Sequence, residues 1–366
     1  MRRSPRWVPL VAAVVVMTSA CASDADTTSE PARATSTAVQ SVTSSASSTT
    51  TSATTTEREP AETLATSTTL TTSTTLTTPT PTSTTAASPS VPDVASLTSV
   101  DLGAAAWRTI YGFGAVWIQV DPPVDQLIKV DAVSGEITLR VDGASSAAVA
   151  DDALWVTVAG ETTRKIDPVS GAVLASVSTP GSYYVSVGAG AVWVPDPAGV
   201  ARIDPASGRI VATVPVEGGV SDLYAADDAV WVTQKDLGNL VRIDPTTNLV
   251  VATLHTGAGA HAIAVDEHGV WVANYRAGTV SRIDPSTNTV VATIDHVGSG
   301  VGITSGNGSI YASQRGIGIF RIDPATNEAT LIASTHDWNY GLSYVNGVLW
   351  ISGVDAHTLS ALPDPG

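Results

Sequence analysis

Short apolar segments alternate with short polar turns along residues 95–366. In a representative stretch, apolar segments cover residues 261–265, 270–274, 280–283 and 289–294, and turn residues such as Asp, Gly and Asn separate them. The segments are rich in Val, Ile, Thr and Trp, and none has the period of an amphipathic helix. This pattern predicts four short β-strands joined by tight turns.

The four-strand unit recurs along the chain. An aromatic residue preceded by an aliphatic one marks each copy, with spacings of 38 to 40 residues, at Trp117, Trp155, Trp193, Trp231, Trp271, Tyr311 and Trp350. Four strands in each unit of about 40 residues are typical of a β-propeller blade. The predicted fold class is therefore all-β, a seven-bladed β-propeller of four-stranded antiparallel blades over residues 94–366.

The seventh copy lacks a segment that could form its fourth strand after the third-strand candidate His357–Leu362. The sequence ASLTSVDLG at residues 95–103 resembles VVATIDHVG at residues 290–298, which is a fourth strand followed by its loop. We therefore expect the start of the domain to supply the outer strand of the last blade. Such a strand closes the ring without a disulfide.

Two further features recur and are interpreted as structural. The marker aromatic residues are expected in the core between blades. A basic residue, an aliphatic residue and an aspartate follow each of the first six markers, and in five of these copies proline comes next. Asp-Pro followed by Ser or Thr and by Asn or Gly is tight-turn chemistry. We expect the basic residue to pair with a carboxylate between blades.

The first 22 residues have the parts of a secretory signal: Arg2, Arg3 and Arg6, an apolar run at residues 7–17, and then small residues. Two interpretations of its end are open. Residues 18–21 resemble a bacterial lipobox, in which Cys21 is lipidated, although Thr18 stands where that motif has an aliphatic residue. Alternatively, residues 20–22 fit a cleavage site before Ser23. We expect a secreted or cell-surface protein, with Cys21 as its lipid anchor on the outer face of a bacterial membrane.

Residues 23–93 are predicted to form a disordered linker. Of the 68 residues from 23 to 90, 39 are Ser or Thr, and no aromatic residue occurs between Trp7 and Trp107. Such a composition buries too little apolar surface to offset the conformational entropy of the chain. An O-glycosylated stalk and a bare linker are both compatible with it.

Charge and cysteine content narrow the classes of partner. The formal net charge is −16, and Lys and Arg are scattered singly through the repeats, so a basic face for nucleic acid is lacking. A single cysteine excludes an intramolecular disulfide framework. The expected partner is a small molecule, a glycan or a surface protein, with no nucleic acid and no membrane contact except through the lipid anchor. A monomer is expected.

The best copy of the repeat, VWVANYRAGTVSRIDPSTNTVVATI at residues 270–294, resembles the YVTN repeat of exported propellers, the YncE-like group. It is less closely similar to the virginiamycin B lyase propeller. The resemblance extends over all seven copies and implies a β-propeller fold. It does not imply one activity, because this group includes binding proteins, surface-layer proteins and a lyase.

Function is sought where the copies differ, in loops that share one face of the propeller around its channel. Imidazole, aromatic and polar groups around a pit are typical of a small-molecule or glycan site. The predicted ligand-binding residues are His255, His261, Tyr275, Arg276, His296, Arg315, His336, Trp338 and Tyr340. We predict no metal ligand, because no His-x-x-x-His or His-x-Glu spacing occurs. We also predict no catalytic residue and no cofactor, because the sequence offers no convincing pair of base and nucleophile and no credible Walker loop or dinucleotide fingerprint.

The alternative is a propeller lyase or hydrolase. It would use His261 or His296 together with Asp295 or Asp337. The virginiamycin B lyase resemblance implies a histidine and carboxylates that hold a magnesium ion, and these two aspartates are the acidic residues near the candidate histidines. The sequence favours a binding module over this enzyme, because no convincing catalytic constellation occurs.

Overall fold

The computed structural model describes residues 91, 94, 97–121, 125–158 and 160–363. The signal segment, Cys21 and nearly all of the linker lie outside these residues. The described part forms seven antiparallel sheets of four strands each, which confirms the predicted seven-bladed β-propeller. None of its segments is a helix able to cross a membrane.

Each blade contributes one strand to each of four concentric layers. The innermost strands are β2 (Ala106–Gly112), β6 (Ala144–Val149), β10 (Ser186–Gly188), β14 (Asp222–Ala225), β18 (Ala260–Asp266), β22 (Ile303–Gly306) and β26 (Asn339–Val345). The second strands are β3 (Ala115–Val120), β7 (Leu154–Val158), β11 (Ala191–Asp196), β15 (Val230–Gln234), β19 (Gly269–Asn274), β23 (Ser309–Gln314) and β27 (Val348–Gly353).

The two outer layers are built in the same way. The third strands are β4 (Gln126–Asp131), β8 (Thr162–Ile166), β12 (Gly199–Asp204), β16 (Asn239–Asp244), β20 (Thr279–Asp284), β24 (Gly318–Ile322) and β28 (Thr358–Pro363). The outermost strands are β5 (Ile137–Asp142), β9 (Val173–Ser178), β13 (Arg209–Pro215), β17 (Leu249–His255), β21 (Thr289–Asp295), β25 (Ala329–Ser334) and β1 (Thr98–Asp101). Blade 1 holds β2–β5, and blade 7 holds β26–β28 with β1.

The ring closes as predicted. The innermost strands of neighbouring blades contact one another all round the channel, including β26 with β2. Strand β1 pairs antiparallel with β28, with Thr98 opposite Ala361 and Asp101 opposite Thr358. The outer strand of blade 7 therefore comes from the beginning of the domain, and blade 7 has as many strands as every other blade.

The marker aromatic residues lie in the core between blades. Trp117 and Trp155 are fully buried, and Trp117 packs against Leu127 of its own blade and Leu154 of the next. Burial of one such side chain contributes about 2–3 kcal/mol. The indole nitrogen of Trp117 is satisfied by the Gly112 carbonyl at 3.1 Å. The interpretation of these residues as structural is confirmed.

The Asp-Pro segments are turns. In the first copy, Asp131 Oδ1 accepts the backbone N–H groups of Val133 at 3.0 Å and Ser134 at 2.8 Å. These bonds lower the pKa of the Asp131 carboxyl. In the fifth copy, Asn288 ends the turn with a φ of 54°, a conformation that Asn and Gly tolerate.

The expected pairing of the basic residues with carboxylates between blades is wrong for the arginines of blades 3 to 5. Arg242 Nη1 instead donates to the Pro285 carbonyl at 2.5 Å and to Asn288 Oδ1 at 3.0 Å, both in the next blade. Its carboxylate partner, Asp228 at 3.5 Å, lies in its own blade. The reason is that the turn aspartates already accept local N–H groups, which leaves the proline carbonyl and the asparagine amide as acceptors.

Candidate functional site

One end of the channel is shaped by β-bulges at the start of innermost strands. Pairing registers shift between Ala106 and Thr109 in β2, between Ala260 and Ile263 in β18, and between Asn339 and Leu342 in β26. A bulge bends its strand and redirects side chains. The residues inside these three bulges are Trp107 with Arg108, His261 with Ala262, and Tyr340 with Gly341.

In every blade, an equivalent pair of positions lies at a fixed distance before the marker aromatic residue. The side chains at these two positions differ between blades. The pairs, from blade 1 to blade 7, are Trp107-Arg108, Ser145-Ser146, Tyr183-Tyr184, Ser221-Asp222, His261-Ala262, Val301-Gly302 and Tyr340-Gly341. Large or charged groups thus come from blades 1, 3, 4, 5 and 7. We call this end of the channel, with these pairs around it, the channel mouth.

An ion pair joins two distant blades at the channel mouth. Arg108 Nη2 of blade 1 lies 2.7 Å from Asp222 Oδ2 of blade 4, and only 6% of the Asp222 side chain is exposed. The guanidinium also stacks over the Tyr184 ring, 4.4 Å from its centroid. Burial disfavours the charge of Arg108, but Asp222 and the hydroxyls of Tyr340 and Tyr184 outweigh burial and raise the Arg108 pKa. Arg108 therefore stays charged in the channel.

His261 lies beside this ion pair in an aromatic enclosure. Its ring meets the rings of Tyr184, Tyr275 and Tyr340 edge to face, at centroid distances of 6.2, 6.5 and 6.1 Å. The pKa of His261 is lowered to about 4, mainly by burial; Asp222 opposes this shift, and the positive charges of Arg108 and Lys235 contribute to it. His261 is therefore neutral at neutral pH.

The hydrogen-bonding capacity of His261 is only partly used. Nε2 lies 3.4 Å from the Tyr340 hydroxyl, whereas the buried Nδ1 has no hydrogen-bond partner within the described structure. A buried polar atom without a partner is costly unless a ligand or water satisfies it. Nδ1 of His261 is thus a buried polar atom without a partner beside the channel mouth.

Tyr340 also belongs to a cluster of three large rings beside His261. Tyr340 contacts Trp107 at 4.9 Å and Trp338 at 5.9 Å between ring centroids, and the two tryptophans are 5.4 Å apart. Arg315 lies over the Trp338 ring at 4.4 Å. Burial raises the pKa of Tyr340 and also that of Tyr184, so both phenols are neutral hydroxyl groups at neutral pH.

Two cavities open at this site. The channel holds about 480 Å³ and is lined by the innermost strands of all seven blades. A second cavity of about 260 Å³ lies beside the mouth, against blades 1, 2, 3 and 7. Arg108, Gln119 and Tyr340 line both cavities. The ring-rich mouth is thus continuous with a space large enough for a small molecule.

The structure gathers some of the predicted binding residues and separates others. His261, Tyr275, Trp338 and Tyr340 lie together at the channel mouth, with Arg315 over Trp338. Arg276 is exposed and pairs with Asp236 at 3.0 Å. The remaining three are exposed and have no ring contact with this cluster: His255, His296 and His336. Ligand binding by all nine stays a prediction.

Sequence reasoning missed Trp107, Arg108, Tyr184 and Asp222. These residues belong to blades 1, 3 and 4, whereas the predicted residues come from blades 4 to 7. A signal was present, because the positions equivalent to His261 and Tyr340 in the other copies vary between Ser, Val, Trp and Tyr. A core position in a repeat would keep one type of side chain.

The carboxylates proposed for an enzyme are placed differently from expectation. Asp337 joins two loops of blade 7, since its Oδ1 accepts the N–H groups of Trp338 at 2.6 Å in the β25–β26 loop and of Asp355 at 2.9 Å in the β27–β28 loop. The carboxylate that acts on His261 is that of Asp222. Among the described residues, no three acidic, His or Cys side chains converge in a way that could hold a metal ion.

Comparison with known proteins gives matches in fold but not in sequence. No protein family and no curated protein matches the chain. The Pan2 WD40 domain of Neurospora crassa has a TM-score of 0.61 and 9% identity, covering 72% of this chain and 90% of its own.

Two lyases are similar to the same degree. Virginiamycin B lyase from Staphylococcus aureus has a TM-score of 0.60 and 14% identity, covering 73% of this chain and 98% of its own. A streptogramin B lyase has a TM-score of 0.58 and 16% identity, covering 72% and 96%. At these identities the similarity establishes the β-propeller fold alone.

Proposed function

We propose that this protein is a binding module that holds a small molecule at the channel mouth. One observation carries the proposal: equivalent positions in a regular repeat bear Trp, Arg, Tyr, Asp, His and Tyr in five blades. Five of these six side chains line the channel or the cavity beside it, and the sixth, His261, packs against Tyr340. The fold does not need such groups there, because blade 6 forms the same structure with Val301 and Gly302.

The chemistry of the mouth suits a ligand that stacks on rings and forms directed hydrogen bonds. Trp107, Tyr184 and Tyr340 provide aromatic surface that lines the cavity beside the mouth. Trp338 and His261 pack against Tyr340. The charge of Arg108 is matched by Asp222. The mouth therefore binds by shape, stacking and hydrogen bonds rather than by strong net charge.

The test is a ligand-observed NMR screen of small cyclic compounds and monosaccharides with the full chain. Hits are then titrated by tryptophan fluorescence, for which Trp107 and Trp338 are local reporters. We expect Tyr340→Ala and Trp338→Ala to weaken binding at least about tenfold, since a ring in a binding site contributes on the order of 1–2 kcal/mol. Phe113→Ala is the matched control, because Phe113 is an exposed ring in the β2–β3 turn, away from the mouth. Unchanged affinity in both mouth variants would refute the proposal.

A second candidate is an enzyme at the same mouth. It is favoured by His261, a neutral imidazole whose Nε2 meets the Tyr340 hydroxyl, since such a pair can move a proton. Two structures of similar fold are named lyases, and one further neighbour is a catalytically inactive virginiamycin B lyase with quinupristin. Quinupristin converted by the wild-type chain but not by His261→Ala, followed by chromatography, would support the enzyme. The binding module leaves quinupristin unchanged.

We further propose that the protein belongs with the exported YVTN-type propellers, that it acts as a monomer, and that Cys21 is lipidated at the cell surface. The repeat sequence and the signal-like residues 1–22 support this proposal. Metabolic labelling with a fatty acid tests it. Incorporation into the wild-type chain and none into Cys21→Ala is expected, whereas a soluble, unlabelled product would favour cleavage before Ser23.

A further inference from the structure

The cavity beside the mouth differs in character from the channel. Its 260 Å³ are lined by the rings of Trp107, Tyr183, Tyr184 and Tyr340 and by the carboxylate of Asp121. Tyr183 is 56% exposed, although it is a large ring. It lies over Gly160, where a Cβ atom would come within 2.8 Å of the ring. We call this space the side cup.

Asp121 is held in the side cup without a basic partner. It follows the last residue of β3, and its N–H donates to the Ala105 carbonyl at 3.1 Å. Its Oδ1 accepts one long hydrogen bond from Gln119 Nε2, at 3.4 Å. Within the described ranges, no Lys, Arg or His forms an ion pair with Asp121.

Two further observations concern the lack of a positive charge to compensate the Asp121 carboxylate. Burial raises the pKa of Asp121 and the neighbouring carboxylate of Asp125 also raises it, whereas hydrogen bonds from Gln119 and Trp107 oppose the shift. Arg108 lines the same cup but is already paired with Asp222 at 2.7 Å and stacked on Tyr184. Partial burial of a carboxylate beside a second one is unfavourable unless a positive charge joins them.

We propose that the side cup binds the cationic head of a small ligand, a quaternary ammonium group of the trimethylammonium type. Aromatic faces attract such a cation through their quadrupoles, and a nearby carboxylate supplies the counter-charge. A quaternary head donates no N–H hydrogen bonds. The cup is lined by four rings, one carboxylate and the guanidinium of Arg108, whose charge is matched by Asp222. A quaternary head therefore matches it better than a primary ammonium, which would leave donors unsatisfied.

The inference deepens the proposed function and rests on it, because the side cup opens at the same mouth. It names a charge class that the channel mouth alone does not specify. Tyr340 belongs to both spaces, so a cation in the cup would sit next to the ring cluster around His261.

The experiment compares two probes of the same shape on the full chain. Choline carries the quaternary head, and 3,3-dimethylbutanol replaces its nitrogen by carbon and is neutral. Titrations by isothermal calorimetry and tryptophan fluorescence are expected to show choline binding at least about tenfold tighter than the neutral isostere, which corresponds to about 1.4 kcal/mol from cation–π contacts.

Variants locate the site. Asp121→Asn and Tyr183→Ala should each weaken choline at least about fivefold. Asp151→Asn is the matched control, because it also removes one negative charge but lies in an exposed turn between β6 and β7. Asp121 makes few contacts and Tyr183 is largely exposed, so both variants should unfold at the wild-type temperature. If Asp121→Asn fails to fold, the result with Tyr183→Ala decides.

The outcomes separate the two proposals. Equal affinity for choline and its isostere, or choline affinity unchanged by Asp121→Asn and Tyr183→Ala, overturns the cationic class. Absence of choline binding also overturns it. In each case the proposed function stands if Trp338→Ala and Tyr340→Ala still weaken a neutral ligand from the NMR screen, and it falls if they do not.

Discussion

Arg108 and Asp222 come from blades on different sides of the ring, and each compensates the charge of the other. Asp222 is almost fully buried, and the guanidinium of Arg108 is enclosed by Tyr184 as well as by the carboxylate. Removing one member of such a pair leaves the other charge buried without compensation. Replacing both members by apolar groups is much less harmful.

We predict that Asp222→Asn lowers the free energy of unfolding by about 2 kcal/mol, a moderate value because a quarter of the Arg108 side chain remains exposed. The double variant Arg108→Met with Asp222→Leu should recover a large part of that loss. Urea unfolding followed by circular dichroism measures both. A double variant less stable than Asp222→Asn would contradict this account.

His261 makes stability depend on pH in a defined direction. Its pKa is about 4 in the folded protein and 6.5 in the unfolded chain, so the unfolded chain binds more protons between these two pH values. Stability should therefore be lost as pH falls from about 6.5 to about 4, by up to about 3 kcal/mol. His261→Gln does not titrate. The difference between wild type and this variant should shrink with decreasing pH, and a constant difference from pH 7 to pH 4 would contradict the shift.

At the scale of strands and turns, the basic residues of the repeat connect each blade to the next. In blades 3, 4 and 5 an arginine stacks on its own marker tryptophan at 5.1–5.3 Å and donates to the following Asp-Pro turn. The accepting asparagine of that turn has a positive φ in each case, at Asn248, Asn288 and Asn327. The same asparagine thus ends a turn and accepts a hydrogen bond from the neighbouring blade.

Asn288→Gly separates these two roles. Glycine keeps the backbone conformation but loses the acceptor for Arg242, so we expect a loss of about 1 kcal/mol beyond the ordinary cost of a glycine. Asn346→Gly is the control, because Asn346 also has a positive φ, of 49°, and accepts no hydrogen bond from an arginine within the described structure. Thermal unfolding of the two variants should differ. Equal losses would mean that the bond to Arg242 contributes nothing.

The sequence predicts the strands well, because apolar segments alternate with turn residues. It predicts the bulges and the hydrogen bonds between blades poorly. The four strands of blade 5 were expected at residues 261–265, 270–274, 280–283 and 289–294, within one residue at each end of the observed strands. The bulges were not foreseen, because an extra unpaired residue leaves the apolar pattern almost unchanged. The bonds from arginine to proline carbonyls were missed since a backbone acceptor leaves no mark in the sequence.

For the whole molecule, the ring depends on a strand from the opposite end of the domain. The repeat count and the likeness of residues 95–103 to a fourth strand were sufficient to predict this closure. The site was only half predictable, because which side chains face each other across a channel depends on the blade from which each comes. His261 and Tyr340 were predicted from loop composition. Arg108 and Asp222 can be recognised as site residues only when the fold shows that they form an ion pair.

The closing strand provides a test of the whole ring. A chain that begins at residue 103 lacks β1 together with the buried Val94 and Leu102, each of which contributes about 2 kcal/mol by burial. We expect calorimetry to show a clearly lower unfolding temperature than for a chain that begins at residue 91. A synthetic peptide of residues 94–102 should restore part of the loss. An unchanged unfolding temperature would show that blade 7 does not need β1.

Pairing of Thr98 with Ala361 also brings the first and last strands side by side at the seam in blade 7. A short peptide linker between residues 97 and 363 would join the two ends of the domain. New chain ends could then be placed between any two blades. A circular permutant that begins at β22 would keep every blade intact and the side chains of the channel mouth in place. The blade at which synthesis begins is therefore separable from the arrangement of the blades around the channel.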